Sequence, residues 1–480
     1  MDRKKTVVTG FLWRLAERFG AQGVTLIVSI VLARLLDPEV YGTLALVTVF
    51  TSILQVFVDS GFASALIQKK DADDLDFSSV FYFNIAICLL LYAGMFFAAP
   101  WISAFYNRPE LVPVVRVMSL IIVISGVKNV QQAYVSRTMQ FKRFFFATLG
   151  GTIGAAVLGI WMAWRGYGVW ALVAQHLFNM TVDTLILWLT VKWRPKRMFS
   201  WQRLKTLISF GGKLLVAKLI DRIYNECRAL VIGKKYTAAD LAYYDRGWQF
   251  PNLITNNIND SIDSVLFPVM SQAQNNIDDV RNIVRRAIKT STFIMAPMMF
   301  GLAAVADSLI PLLLGEKWQP CIFYLRIFCT TLAFYPIHTA NLNAIAALGR
   351  SDISVKIEII KKVLGLSILF VTMWFGVKAI ALGALGQSLL NQIINSWPNR
   401  KLISYRYGEQ LLDILPAILL SLAMAAVVYA VTFLHLSPWA TLLIQIPLGV
   451  GIYVLGAKLF HMESYEFALD FVKKFLKKHD

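Results

Sequence analysis

Residues 411–434 read LLDILPAILLSLAMAAVVYAVTFL, a run whose single charged side chain, Asp413, stands near its start. The hydrocarbon core of a bilayer, about 30 Å thick, is crossed by about 20 such residues in a helix. A helix closes its own backbone hydrogen bonds in lipid, which an isolated strand cannot do. Runs of the same kind recur at Leu26–Leu36, Thr43–Val58, Ile85–Ala99 and Leu149–Trp164. The chain as a whole is 57% hydrophobic and 16% charged, against roughly 45–50% and about 25% in soluble domains. The excess is spread over all 480 residues, which excludes one anchor on a soluble catalytic domain.

Spans are expected near 10–35, 41–66, 78–104, 110–136, 143–164, 167–191, 204–233, 239–270, 286–314, 319–347, 353–376, 378–399, 410–434 and 438–459. Turn chemistry separates many of them, as at Asp37-Pro38, Asn107-Arg108-Pro109, Arg165-Gly166, Arg194-Pro195 and Ser437-Pro438. The formal charge is +18. Lys and Arg favour the tails and even-numbered loops, such as Arg3, Lys4, Lys5, Arg194, Lys196 and Arg197. The opposite loops hold Arg34, Arg108, Arg165, Lys234, Lys235, Lys317 and Lys378. This bias puts both termini in the cytoplasm of a multi-pass inner-membrane protein. It also accounts for the basic charge without nucleic acid, since no basic groove with stacking aromatics is present. Cys88, Cys227, Cys321 and Cys329 lie in or beside apolar runs and form no CxxC pair, so neither a disulfide framework nor a metal site is expected. Arg14, Glu17 and Arg18 interrupt the first apolar run, which reads as an uncleaved span.

The linker around 193–203 divides the chain into an N-terminal lobe of six spans (1–192) and a C-terminal lobe of six (204–405). RLLDPEVYGTLALVTVF from Arg34 and KKYTAADLAYYDRGWQF from Lys234 echo one another. Six spans per copy give both copies the same orientation, a parallel pseudo-two-fold repeat about the membrane normal. Two extra spans (406–460) and a tail (461–480) follow. The tail, MESYEFALDFVKKFLKKHD, reads as an interfacial helix or a solvated end.

Charges at mid-bilayer cost at least about 2.5–3.5 kcal/mol each on insertion scales, so their positions carry information. In span 8, Asp245, Gln249, Asn252, Asn256, Asn259 or Asp260, and Asp263 follow at steps of three or four, with Arg246 and Trp248 at the start. Such a stripe lines an aqueous cavity or packs on another polar helix. Span 7 carries Lys218, Asp221 or Arg222, Asn225 and Arg228, and Arg222 can pair with Glu226 instead of facing a cavity. Span 1 offers Arg14, Arg18 and Gln22; span 2 offers Thr48, Thr51, Gln55 and Asp59 on one face. Span 4 carries Arg116, Lys128, Gln131 and Gln132, and span 6 carries His176, Asn179 and Asp183. The Gly150–Gly154–Gly159 series reads as close helix packing.

VLARLLDPEVYGTLALVTVF, VDSGFASALIQKKD, DFSSVFYFN, the span 8 segment YYDRGWQFPNLITNNINDSIDSVLFPVMSQ and LLGEKWQP occur in that order. Together they resemble the polysaccharide exporters, Wzx-type flippases of the colanic and teichuronic acid branch, within the multidrug, oligosaccharidyl-lipid and polysaccharide exporter superfamily. The resemblance covers about residues 5–405. It implies an all-α, MATE/MurJ-like fold of about fourteen transmembrane helices, with two lobes around a cavity lined by spans 1, 2, 7 and 8. It implies alternating access and an undecaprenyl-diphosphate-linked oligosaccharide as cargo. Arg14, Arg18, Lys218, Arg222, Arg228 and Arg246 would then meet the diphosphate. Tyr244, Trp248, Gln249, Asn252, Asn256 and Asn259 would meet the sugars, and Gln22 and Asn225 are counted with them as substrate-binding residues. Asp59, Asp245, Asp260 and Asp263 are the candidate ion-coupling carboxylates. Membrane lipids, a polysaccharide polymerase and a chain-length regulator are the expected partners, and no cofactor is expected. No Walker sequence is present, so energy comes from an ion gradient or from use of the product. The rival readings are a MATE-like drug exporter, which would favour an acidic cavity, and a membrane glycan polymerase or ligase, which would need a long outer loop.

Overall fold

The computed structural model describes residues 20–59, 66–67, 69, 71–140 and 142–467. Among these nearly every regular element is a helix, and there is no strand. The helices are α1 (Gly20–Leu35), α2 (Pro38–Asp59), α3 (Asp74–Tyr106), α4 (Leu111–Arg137), α5 (Lys142–Trp164), α6 (Val169–Thr190) and α7 (Trp201–Lys235). They continue as α8 (Ala238–Gln272), α9 (Ile277–Leu314), α10 (Cys321–Ala347), α11 (Ser351–Thr372), α12 (Val377–Ser396), α13 (Tyr407–Ala430) and α14 (Pro438–Leu459). Ten of the described helices are long and apolar enough to cross a membrane. Of the others, α1 is short as described, and α7, α8 and α11 are long but too polar, in keeping with the charges read in spans 7 and 8 and with Lys356, Glu358, Lys361 and Lys362 of α11. Arg14, Arg18 and the tail beyond residue 467 lie outside the described residues.

Several helices start earlier than their apolar runs, because caps set the starts. Helix α9 begins at Ile277, where the Asn276 side chain accepts from the Asp278 and Asp279 amides, not near residue 286. At 38 residues it is about 57 Å long, so it outruns the hydrocarbon core. Helix α3 opens on a capping box in which Asp73 and Asp76 exchange side-chain and backbone bonds.

The chain packs as two compact units, Met1–Ala242 and Tyr243–Asp480. In the first, α7 packs on α2 and α3. The fit is close at two glycines. A Cβ on Gly42 of α2 would stand 1.8 Å from the Ala238 carbonyl oxygen, and one on Gly233 would stand 2.1 Å from Leu46. Helices α5 and α6 form a tight hairpin, where a Cβ on Gly154 would press on Phe178 at 2.7 Å. Small residues matter here because lipid and side chains are equally apolar, leaving contact and hydrogen bonds to hold helices together.

The linker before α7 is extended and tied to the start of α3. The Lys196 amide donates to Ser78 Oγ and the Ser200 amide to Ser79 Oγ, each at 2.9 Å. Lys196 pairs with Asp74 at 2.5 Å, and Arg203 pairs with Asp73 at 2.6 Å. The amide of Asp76 and the Arg203 guanidinium hold the Asp73 carboxyl down to about 2. Trp193 fills the gap beneath, in a core with Phe77, Phe81, Leu187 and Leu204.

Prolines inside helices strip a hydrogen bond from the carbonyl four residues earlier. Pro100 frees the Phe96 carbonyl, and Arg116 of α4 donates to it at 3.2 Å while stacking over the Phe96 ring. In the second unit Pro297 frees the Phe293 carbonyl, and the Tyr453 hydroxyl of α14 donates to it at 2.8 Å. Helices α13 and α14 pack against α9. Asp413 of α13 takes a two-pronged bond from Arg285, at 2.7 Å on each oxygen, and a third from Tyr405 at 2.6 Å. A buried amide cluster of Asn341, Asn399 and Gln410 closes the same region. The two C-terminal helices are thus built into the second unit rather than appended to it.

Candidate functional site

Helix α2 carries Thr48, Thr51, Gln55 and Asp59 at steps of three or four, which is one face of a helix, with Ser52 beside Thr51. Thr48 and Thr51 turn their hydroxyls back onto their own helix, to the Leu44 and Thr48 carbonyls. Gln55 donates to Asp59 at 3.2 Å, which orients the carboxylate at the end of the face. Helix α4 offers Met118, Ile121, Ser125, Lys128 and Gln132 at alternating steps of three and four. His176 and Met180 of α6 and Lys218 and Arg222 of α7 complete the walls. Together they enclose a cavity of about 610 Å³ within the first unit. That volume is in the range of small-ligand sites.

The charges around the cavity are partly matched. Lys128 of α4 pairs with Asp183 of α6, and only 12% of either side chain is exposed. Arg222 Nε lies 3.1 Å from Glu226 Oε1, and Ser52 of α2 donates to the same oxygen at 2.8 Å. The Arg222 Nε–H is not aimed at the carboxylate, since that nitrogen finds no aligned acceptor. The pair is therefore an ion pair by distance and not a directed hydrogen bond. Lys218 has no carboxylate within ion-pair distance among the described residues, and Asp59 is the acid that feels it.

The stripe on α8 belongs to the second unit and divides in two. Asp245, Trp248, Gln249, Asn256, Asp260 and Asp263 are exposed, and Asn252 is half-buried. Arg246 and Asn259 are buried. Arg246 donates to Gln249 at 2.6 Å and stacks over Trp318; Asn259 accepts from Thr339 at 3.1 Å. Asp263 accepts from Asn343 at 2.6 Å. Trp248 stands edge-on to Phe328.

Of the candidate substrate-binding and ion-coupling residues, the first-unit cavity brings together Asp59, Lys218 and Arg222, beside Thr48, Thr51 and Gln55 of the same face of α2. Gln22 is half-buried on α1, Asn225 is exposed and Arg228 half-buried on α7, and none of the three lines this cavity. Ser125, Lys128, Gln132 and His176 line it without having been counted as site residues. The 3-4-3-4 spacing on α4 was the available signal.

Known proteins resemble this chain in sequence and in fold. A sequence profile described as polysaccharide biosynthesis protein matches residues 31–323. Teichuronic acid biosynthesis protein TuaB of Bacillus subtilis is 23% identical over 409 residues, 84% of each chain. Lipopolysaccharide biosynthesis protein WzxC of Escherichia coli is 22% identical, across 90% of this chain and 88% of its own. Succinoglycan biosynthesis transport protein ExoT of Rhizobium meliloti is 26% identical over 65% of this chain, and the match spans 64% of ExoT's length. Among solved structures, the lipid II flippase MurJ in an inward closed conformation superposes with a TM-score of 0.77 over 94% of this chain and 99% of its own, at 16% identity. An inward-facing multidrug MATE transporter gives 0.63 over 79% of this chain and 94% of its own, at 18% identity. The fold is that of the MurJ and MATE transporters, and the chain belongs to the polysaccharide biosynthesis protein family.

Proposed function

We propose that this protein is a flippase that carries an undecaprenyl-diphosphate-linked oligosaccharide repeat unit across the cytoplasmic membrane, for assembly of a surface polysaccharide. It does so as a secondary-active transporter by alternating access of two lobes, 1–192 and 204–405, joined by the linker 193–203. It catalyses no covalent step. Both termini are cytoplasmic. A polymerase and a chain-length regulator take the product on the outer side.

The observation that carries this reading is the first-unit cavity, polar and of mixed charge, walled by α7 and by three helices, α2, α4 and α6, that are long and apolar enough to cross a membrane. Setting four charged groups on its walls, Asp59, Lys128, Lys218 and Arg222, with Asp183 paired to Lys128, is costly. A lipid-linked glycan is a cargo that repays it, because its head is charged and rich in hydroxyls while its tail is at home in lipid. Lys218, with no ion-pair partner among the described residues, is the cation of this cavity offered to the diphosphate. Asp59, beside it, and the exposed carboxylates Asp245, Asp260 and Asp263 of α8 are the groups offered for ion coupling. Family membership and relatives named for teichuronic acid, lipopolysaccharide and succinoglycan support the same cargo class. A drug exporter has less support, since two of the three cations on the cavity walls already hold acids in place.

The test is a deletion strain. Loss of the gene should abolish the surface polymer and build up its lipid-linked repeat unit on the inner face. The wild-type gene should reverse both effects, and Lys218→Ala should not, at equal membrane protein. A deletion strain that keeps its polymer but becomes sensitive to cationic drugs would overturn the flippase reading.

A further inference from the structure

The polar residues of α4 fall into two sets. Asn129 donates to the Val58 carbonyl, and Gln131 donates to the Trp193 carbonyl at 3.2 Å, so both brace helices and linker. Ser125, Lys128 and Gln132 lie on another face of the same helix and line the cavity. Gln132 makes no hydrogen bond with any described residue.

Ser125 is the telling member. Hydroxyls in these helices normally bond back to a carbonyl three or four residues earlier, as Ser119 does to Val115, Thr152 to Thr148 and Thr184 to Met180. Ser125 does not. Its residue is only 4% exposed, yet its Oγ has no partner among the described residues, and it sits in the cavity wall. A buried hydroxyl left without a partner is destabilising, so its place on the wall calls for a ligand that bonds to it.

The charge of Lys128 decides the class of that ligand. Asp183 already neutralises it, and the pair is nearly buried. One of the three ammonium protons goes to Asp183 and one points weakly at Met180 Sδ, 3.6 Å away, which leaves a donor for the cavity. A neutralised ammonium is a directional donor, not an anchor for a dianion. The neighbouring Met118 and Ile121 offer an apolar surface beside these polar atoms. Donors, an unpartnered hydroxyl and an apolar strip with no net charge suit a pyranose ring, whose hydroxyls alternate with C–H faces.

Resting on the flippase reading above, we propose that Ser125, Lys128 and Gln132 of α4, with His176 of α6, form a saccharide subsite for an uncharged or N-acylated sugar of the cargo. The diphosphate lies with Lys218 of α7 across the cavity. The first unit thus separates sugar recognition on α4 and α6 from phosphate recognition on α7.

Substrate protection tests this in cells. In a functional background with Cys88, Cys227, Cys321 and Cys329 replaced, Gln132→Cys is labelled with a small polar thiol reagent. Three hosts are compared: one that makes no lipid-linked glycan, one that stops at undecaprenyl diphosphate with its first sugar, and one that builds the whole unit but lacks the polymerase. Labelling should slow at least severalfold in the glycan-bearing hosts, and Lys128→Met should remove the protection. Ser125→Ala should lower export about fivefold at unchanged protein level, the worth of one hydrogen bond. Equal labelling in all three hosts, while export by the cysteine-replaced protein remains intact, overturns the subsite. Protection that survives Lys128→Met assigns the contact to other walls and overturns it too. Failure of the wild-type gene to restore polymer would instead overturn the flippase reading.

Discussion

Replacing Arg222 with alanine separates a structural from a binding role, because the structure fixes what the structural role can be worth. The guanidinium lies 3.1 Å from Glu226, with 43% of the arginine side chain and 17% of the glutamate side chain exposed. Two unit charges at that separation attract by about 1.3 kcal/mol in water, the value suited to a pair opening on a wet cavity. Side-chain entropy and screening reduce the net to about 1 kcal/mol or less, as for other exposed i,i+4 pairs. A buried pair broken on one side would cost about 3–5 kcal/mol. Glu226 would also keep its bond from Ser52, at 2.8 Å. Arg222→Ala should therefore insert and accumulate at near wild-type levels. If Arg222 helps to hold the cargo, surface polysaccharide should fall sharply in a deletion strain carrying the variant, Arg222→Lys should retain part of it, and Glu226→Gln on top should not help. The assay is surface polymer against membrane protein level. Poor accumulation of Arg222→Ala that Glu226→Gln rescues would refute the reasoning about magnitude and make the pair structural. Normal export at normal level would remove Arg222 from the binding site.

Cysteine placed at Lys235 or Lys317 should label with an impermeant reagent from outside, and cysteine at Lys196 should not; the reverse pattern would invert the orientation. Asp59→Asn should abolish gradient-driven export while cargo still protects the cavity from labelling, whereas full export from the Asn variants of Asp59, Asp245, Asp260 and Asp263 alike would remove ion coupling through these groups. Asp73 lies before α3, outside the spans, and its carboxyl is held down to about 2, first by the Asp76 amide and then by Arg203. A depressed carboxylate contributes stability above its unfolded value, near 3.9, and loses it as pH falls through the folded one. Asp73→Asn should thus flatten the fall in melting temperature of the detergent-solubilised protein between about pH 4 and pH 2, and an unchanged slope would show that the linker clasp is not stabilising.

Much of this arrangement was legible in the chain because helices repeat locally. Steps of three and four placed Thr48, Thr51, Gln55 and Asp59 on one face, and all four line the cavity. The i,i+4 spacing named the Arg222–Glu226 pair that forms. The glycine series of α5 was read as a packing seam, and Gly154 meets Phe178 there. What periodicity cannot show is which of two adjacent polar residues turns inward. Asn259 is buried on Thr339 while Asp260 is exposed, a difference of one residue decided by α10. Lys128 was visible as a charge in a span, but its partner Asp183 lies on another helix, and no local pattern joins them. Helix starts were missed for a similar reason: hydropathy marks where lipid begins, whereas caps such as Asn276 and Asp73 mark where the helix begins.

The polarity of α7 bears on how the cavity is assembled as well as on what it binds. Lys218, Asp221, Arg222, Glu226 and Arg228 lie within about three turns of one helix. At about 2.5–3.5 kcal/mol each on insertion scales, five such groups would cost roughly 12–18 kcal/mol in lipid. No single apolar face offsets that, and α7 accordingly fails the hydropathy expected of a self-inserting helix. It lies instead against α2 and α3, with Ser52 bonded to Glu226 midway, Arg203 bonded to Asp73 at one end and Lys234 reaching the Phe105 carbonyl at the other. Its charges are tolerable only where neighbours pair them or water reaches them. The wall formed by α2, α4 and α6 meets the first need in part, and the open cavity meets the second. The charges of α7 thus stand where neighbouring side chains and the cavity can hold them, which lipid alone could not do.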